Sequence, residues 1–236
     1  MTLIPYESRE QAGELLANFI LDKNKALFKQ IEEHPENFLV FTIPNGGVPV
    51  AEGFCHIFNL KYEILIVRKI KIPYNPEAGF GSITTDGTIL FNESLLSQLS
   101  LSKEQIEQSI LKTKAEIQER ITFYEKKNIS GQENITRIQG KNIFIMDDGL
   151  ASGFTMQAGI KMIKKYKPKT VYICVPTAPY HTVIRIQDEK DEIFCPNIRK
   201  TTWFAVADAY KHWYDLSEAE TVNILAKSKY YIENVL

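Results

Sequence analysis

Cysteine is scarce in this chain: three in 236 residues, Cys55, Cys174 and Cys195. They are far apart and odd in number, no Cys-x-x-Cys pair occurs, and His34, His56, His181 and His212 do not cluster with them. A disulfide framework and a structural zinc site are therefore not expected, and a reducing compartment is. Charge of one sign is also lacking. Lysine and arginine number 28 against 29 acids, a net charge of −1, whereas a dedicated nucleic-acid surface normally carries a basic excess. The densest basic run, KMIKKYKPK (161–169), reads as a solvated helix end, where lysines complement the dipole. No basic-then-apolar leader opens MTLIPYESRE, and no apolar run approaches membrane-spanning length, so a cytoplasmic protein with no membrane partner is expected. Neither G-x-x-x-x-G-K-[ST] nor G-x-G-x-x-G occurs, which argues against a P-loop nucleotide triphosphatase and a dinucleotide-binding unit. Internal repeats, low-complexity segments and linkers are absent.

What is present is ordinary for a globular protein, 44% hydrophobic and 24% charged. Ser8 and Gln11 have capping-box spacing and open an amphipathic run to about His34. The short apolar run 37–43 reads as a buried strand ending at PNGG, 48–59 as a helix, and 62–69 as another buried strand. Residues 82–92 suggest a hairpin turning at Asp86-Gly87. Ser102 and Gln105 make a second capping box, opening a charged helix to about Lys127. Strand 142–147, helix 154–166, strand 169–175, helix 179–188 and strand 191–195 follow. This alternation predicts an α/β fold: a mostly parallel central sheet with helices on both faces. Ligands of such sheets sit beyond the carboxyl ends of the strands, where PNGG, Arg68-Lys69 and DDGLASGFT all fall.

The most informative stretch is NIFIMDDGLASGFT (142–155). Asp147 and Asp148 follow the apolar strand directly, and side chains of successive strand residues point apart, so the two act together only where the chain turns. Neighbouring carboxylates repel and are costly to bury; they are acceptor-only groups, suited to vicinal hydroxyls or to a metal ion's water shell. The loop from Gly149 offers glycines, Ser152, Thr155 and backbone N–H groups at the start of a helix, a place for a phosphate. Diol acceptors beside a phosphate cradle describe a ribose 5-phosphate site.

Apolar strand, two acids and a small-residue loop ending S-G-F-T resemble the phosphoribosyl pyrophosphate (PRPP) signature of type I phosphoribosyltransferases. IPNGGVPVA (43–51), LIVRKIKIPYNPEAGFGSI (65–83) and FAVADAYKHWYDLSEAE (204–220) extend the likeness over about residues 38–225, to a bacterial and archaeal branch with P-R-G-G-V-P-V-A and V-V-R-K…N-P-E segments. The resemblance implies that fold with a small hood: a helical segment over 1–36, a core over 37–195 with a mobile loop over 70–82, and a hood with a terminal helix over 196–236.

It implies Mg²⁺-dependent transfer of phosphoribose from PRPP to a nitrogenous base, a purine by expectation, with release of pyrophosphate and a homodimeric assembly. Asp147 and Asp148 would hold the ribose hydroxyls, and would meet Mg²⁺ through water while PRPP itself carries the ion. Gly149, Ala151, Ser152, Gly153, Phe154 and Thr155 would wrap the 5′-phosphate. Asn45, Gly46, Gly47, Arg68 and Lys69 would hold pyrophosphate, with Asp147, Asp148, Arg68 and Lys69 forming the catalytic set and Glu77 a loop acid. Asn45 stands where the branch carries arginine. It brings no charge, and that favours an alternative, a PRPP- or nucleotide-sensing module with weak or lost catalysis. Ala151 stands where hypoxanthine–guanine enzymes carry an aspartate. Trp203, Phe204, Val206 and Asp208 would meet the base, while Trp213 and Tyr214 read as packing residues.

Overall fold

The computed structural model describes residues 5–124, 136–186, 191–201 and 203–235. Ser8 starts α1 (Arg9–Lys23) by accepting from the Gln11 amide at 3.1 Å. The single helix expected up to His34 is two. Asn24 leaves helical geometry (φ −137°, ψ 72°), closes α1, and caps α2 (Lys25–Glu33) by accepting from the Leu27 amide at 3.0 Å. A short side chain that competes for backbone hydrogen bonds favours such a break. There follow β1 (Phe38–Thr42), α3 (Gly47–Phe58), β2 (Tyr62–Ile64), β3 (Val67–Ile72), β4 (Asn75–Thr84), β5 (Ile89–Phe91), α4 (Glu93–Leu96) and α5 (Lys103–Phe123). The second half contains β6 (Asn142–Met146), α6 (Phe154–Lys165), β7 (Thr170–Cys174), β8 (Thr177–Pro179), α7 (Tyr180–Ile186), β9 (Asp191–Phe194), β10 (Asn197–Arg199), α8 (Glu218–Lys227) and β11 (Tyr231–Val235).

Six parallel strands in the order β11-β2-β1-β6-β7-β9 form the central sheet. Its strands are apolar on both faces because both are covered. Val40, Phe144 and Met146 point to the side of α1 and α3, into a cluster with Leu16, Ile20, Val50 and Phe54. Phe41, Ile143, Ile145 and Ile173 point the other way and meet Met156, Ile160 and Ile163 of α6. Alternation along each strand thus sorts one apolar run into two cores. Burial of each large side chain contributes about 1.5–3 kcal/mol.

Three expectations are corrected. The strand read over 62–69 is two: β2 pairs with β1 and β11, and β3 belongs to a separate three-stranded antiparallel sheet, β3-β4-β5. Leu65 and Ile66 are buried between them, so the apolar run continues although the sheet does not. The stretch 70–82, expected as a mobile loop, is mostly strand, with β3 and β4 joined at Pro73-Tyr74. Finally, the region 196–236 is not only hood and helix: β11 returns to the central sheet as an edge strand beside β2. The turn at Asp86-Gly87 does join β4 to β5, with Gly87 at φ 79°.

The register of the central strands sets the site. Thr42, Met146 and Cys174 are paired across β1, β6 and β7, so these strands end level. The turn after β1 and the loop after β6 leave the sheet side by side.

Candidate functional site

Gly46 and Gly47 occupy the turn after β1, and the residues that require them are the two acids after β6. A Cβ at position 46 would fall 2.0 Å from Asp148 Oδ2; one at position 47 would fall 2.6 Å from Thr42 Oγ1 and 3.1 Å from Asp147 Cα. Neither residue is among those with positive φ. Glycine is needed here for close approach, and the turn and the diacid make one surface. The Pro44–Asn45 peptide is cis.

Asp147 Oδ1 accepts from the Asp148 amide at 2.8 Å. Asp148 Oδ2 accepts from Arg9 Nε at 2.8 Å, in an ion pair with side chains 14% and 8% exposed. Arg9 Nη2 donates to the Tyr214 carbonyl at 3.0 Å, and its guanidinium lies 4.1 Å from the Trp213 ring centroid. Tyr210 Oη donates to the Asp148 carbonyl at 2.6 Å. Burial, and next the Asp148 charge, push the Asp147 carboxyl well above the usual range. Burial raises Asp148 as well, with Arg9 opposing it.

Arg9, Tyr210, Trp213 and Tyr214 were not anticipated as partners of the diacid. Trp213 and Tyr214 do pack, but what they pack on is Arg9. One signal was available: Arg9 is the first residue of α1, where a cation opposes the helix dipole and a compensating partner is needed.

Gly153 caps α6 with φ 73°, and a Cβ there would meet Thr182 Cγ2 at 2.9 Å. The Ala151 carbonyl accepts from Thr182 Oγ1 at 2.8 Å and the Ser152 carbonyl from Arg185. The loop's carbonyls are thus tied to α7, and the first N–H groups of α6 have no partner within the helix. Ala151 and Ser152 are exposed, with Phe154 and Thr155 half-buried behind them. Val206 lies against Gly149, where a Cβ would meet its Cγ1 at 2.6 Å.

The expected anion-binding residues separate. The Asn45 amide faces sideways: Nδ2 donates to the Leu216 carbonyl at 2.7 Å, and Oδ1 accepts from Arg120 Nη1 at 2.9 Å and Tyr124 Oη at 2.8 Å. Arg68 is half-buried and pairs with Glu116 at 3.4 Å. Lys69, its neighbour on β3, points to the opposite face, is exposed, and donates to the Glu77 carbonyl at 3.2 Å. Arg68 and Lys69 therefore do not form a pair, and Glu77 engages Lys69 through its backbone. Trp203 is 89% exposed and the Asp208 side chain is exposed, with Phe204 half-buried. Of the four expected base contacts, Val206 lies against the diacid loop at Gly149.

For a divalent cation, no group of three or more acidic, histidine or cysteine side chains converges among the described residues. Asp147 and Asp148 give two hard oxygen donors on one loop. That donor set fits a cation that arrives on a ligand's own oxygens and meets the acids through water.

Comparison with known proteins shows the family and the fold. The model of the phosphoribosyl transferase domain matches residues 11–214. Two proteins of Mycobacterium tuberculosis, from strains CDC 1551 and H37Rv, are each 28% identical over 190 residues, 80% of this chain, and carry the name phosphoribosyl transferase provisionally. The chain spans 42% of the length of these curated relatives. The crystal structure of TT1426 from Thermus thermophilus superposes with a TM-score of 0.70 over 95% of this chain and 99% of that one, at 21% identity. It shares the fold.

Proposed function

The chain belongs to the phosphoribosyl transferase domain family, and from that premise we propose that it transfers phosphoribose from PRPP to a nitrogenous base, of the purine class, releasing pyrophosphate. The observation that carries this reading is the flush assembly at the carboxyl ends of β1 and β6: a half-buried diacid, a helix-opening loop and a glycine turn in contact.

In the proposed reaction the bond from the anomeric carbon to a pyrophosphate oxygen breaks and a bond to a ring nitrogen of the base forms. The transition state has oxocarbenium character, so the gain lies in holding both ends of the substrate. Asp147 and Asp148 accept from the ribose hydroxyls, and Arg9 opposes the effect of burial on the Asp148 carboxyl and aims it. The amides of Ala151 to Thr155 hold the 5′-phosphate. The backbone of Gly46 and Gly47 approaches the departing pyrophosphate, with Arg68 beside it. Val206, lying over Gly149, borders the base end. Mg²⁺, held on PRPP and by Asp147 and Asp148 through water, would neutralise charge on the leaving group.

A second reading, a PRPP- or nucleotide-sensing module, is favoured by one observation: Asn45 spends its amide on Leu216, Arg120 and Tyr124. Phosphorus NMR of PRPP with Mg²⁺ and the protein, adding adenine, hypoxanthine, guanine, xanthine, uracil and orotate in turn, separates the two. Free pyrophosphate appearing with one base supports the enzyme and names its acceptor. Line broadening with no turnover supports the sensor, and unperturbed PRPP resonances would sink both.

A further inference from the structure

We propose that Arg120 of α5 binds the pyrophosphate group of PRPP, forming with Arg68 of β3 a two-guanidinium clamp beside the Pro44–Gly47 turn. This rests on the PRPP reading above and extends it to a residue far from every motif of the sequence.

Four observations place the clamp. Arg120 Nη1 donates to Asn45 Oδ1 at 2.9 Å, one residue from the glycine that touches Asp148. Tyr124 Oη holds the same Asn45 oxygen at 2.8 Å, while Asn45 Nδ2 is anchored on the Leu216 carbonyl at 2.7 Å. Asn45 is therefore an orienting clip: it brings no charge to the turn itself but fixes a charged group there. Arg120, Arg68 and Lys71 line one cavity of about 330 Å³.

The cavity is costly as it stands. Arg120 lowers the basicity of Arg68, second only to burial, so the two guanidiniums repel. Arg68 Nε is buried with no hydrogen-bond partner among the described residues. Three acids line the same cavity: Glu116 reaches Arg68 at 3.4 Å and Lys71 at 3.9 Å, Glu218 pairs with Arg120 at 2.6 Å and is 42% exposed, and Glu119 stands at the exposed rim. An anion with several oxygens would satisfy the orphan Nε–H, relieve the repulsion, and displace Glu218 toward solvent. A guanidinium keeps N–H donors to spare after its bonds to Asn45, Tyr124 and Glu218, since it has five. Pyrophosphate matches that fork geometry.

A purely structural role for Arg120, as a strut between α5, the turn after β1 and the first residue of α8, predicts something different. It would disturb every ligand equally. Calorimetric titration of the full chain with pyrophosphate in Mg²⁺, with ribose 5-phosphate, and with PRPP distinguishes the two roles. For Arg120→Met, pyrophosphate and PRPP affinities are expected to fall about tenfold or more, the loss of a charge-assisted bond, with ribose 5-phosphate unchanged within about twofold. Arg120→Lys retains the charge without the fork and should recover part of the loss. Glu218→Gln, a change at a half-exposed acid, should tighten pyrophosphate binding, which keeps the test decisive if Arg120→Met does not fold. Equal loss of ribose 5-phosphate and pyrophosphate, normal pyrophosphate binding by Arg120→Met, or weakened binding by Glu218→Gln overturns the assignment of Arg120 while leaving the PRPP reading intact. A parent protein that binds none of the three ligands removes the PRPP reading itself.

Discussion

Asp147 and Asp148 are adjacent, but their surroundings make them unequal. Asp148 has Arg9 at 2.8 Å, whereas Asp147 has burial and its neighbour's charge. Asp147→Asn is expected to raise the melting temperature at neutral pH, because folding pushes this carboxyl well above its usual range and so penalises its charged form. Asp148→Asn is expected to lower it, because Arg9 is then buried unpaired, at a cost of about 3 kcal/mol. Both should weaken PRPP binding in calorimetry; normal binding by either variant would contradict the ribose assignment. Asp86 lies far from this site and answers to pH. Burial pushes its carboxyl up, but hydrogen bonds from Thr84, Thr88 and Lys165 outweigh burial and hold it below the ordinary range. A carboxyl lowered by folding adds stability above the unfolded value of about 3.9 and loses it as pH falls through the folded value. Asp86→Ala should therefore lower the melting temperature at neutral pH, and the gap from the parent should close as the solution is acidified below about pH 4. The two acids after β6 could be picked out in the sequence because their spacing is local. Arg9 could not be assigned to them, since its partner lies 139 positions away.

The strand–loop–helix unit β6–α6 and the capped α5 were legible because each carries its own local chemistry: an apolar run into acids and glycines, and a Ser102–Gln105 box present in full. The break between β2 and β3 was not. Leu65 and Ile66 are apolar and buried, so nothing in the pattern marks the passage from one sheet to another. The proline- and glycine-rich stretch 70–82 misled for the opposite reason. Its glycines look like loop residues, yet Gly79 and Gly81 sit in β4, where a Cβ would strike Lys69 Cγ at 2.1 Å and the Leu90 carbonyl oxygen at 2.8 Å. The turn after β1 gives the sharpest test of close approach. Gly46→Ala would drive a methyl to 2.0 Å from Asp148 Oδ2. The expected result is displacement of Asp148 from Arg9, with lowered stability and PRPP affinity reduced well beyond that of a surface control. An alanine variant with parental affinity would show that the turn and the diacid are not one surface.

Alternation of strands and helices was enough to predict the parallel sheet, but strand order and the return of β11 depend on pairings distant in sequence, for which no local residue pattern exists. The same distance explains why the contact of Trp213 with Arg9 was not anticipated: Trp203, expected over the base, is 89% exposed, and Trp213, also at the surface, is the one that stacks on Arg9. Because β1, β6, the hood and the N-terminal helix all meet at one place, a ligand there should stabilise the fold as a unit. PRPP at about a hundredfold excess over its Kd is expected to add about 2.7 kcal/mol, read as a single, sharper thermal transition. Two separate transitions, with one insensitive to PRPP, would show that the cores unfold independently.

The bridge between Tyr6 and Tyr210 has a consequence for biosynthesis. Tyr6 donates its amide to the Ala209 carbonyl and accepts from Lys211, and Arg9 completes its cage with Trp213 and Tyr214. A nascent chain that has emerged only as far as α7 already holds the diacid, the glycine turn and the loop. It still lacks the aromatic floor under Arg9 and the Leu216 carbonyl that anchors Asn45. Substrate-binding competence should therefore switch on late in translation, when the ribosome has released the segment around residues 209–216, and a stalled chain ending before it should hold its two acids in place poorly.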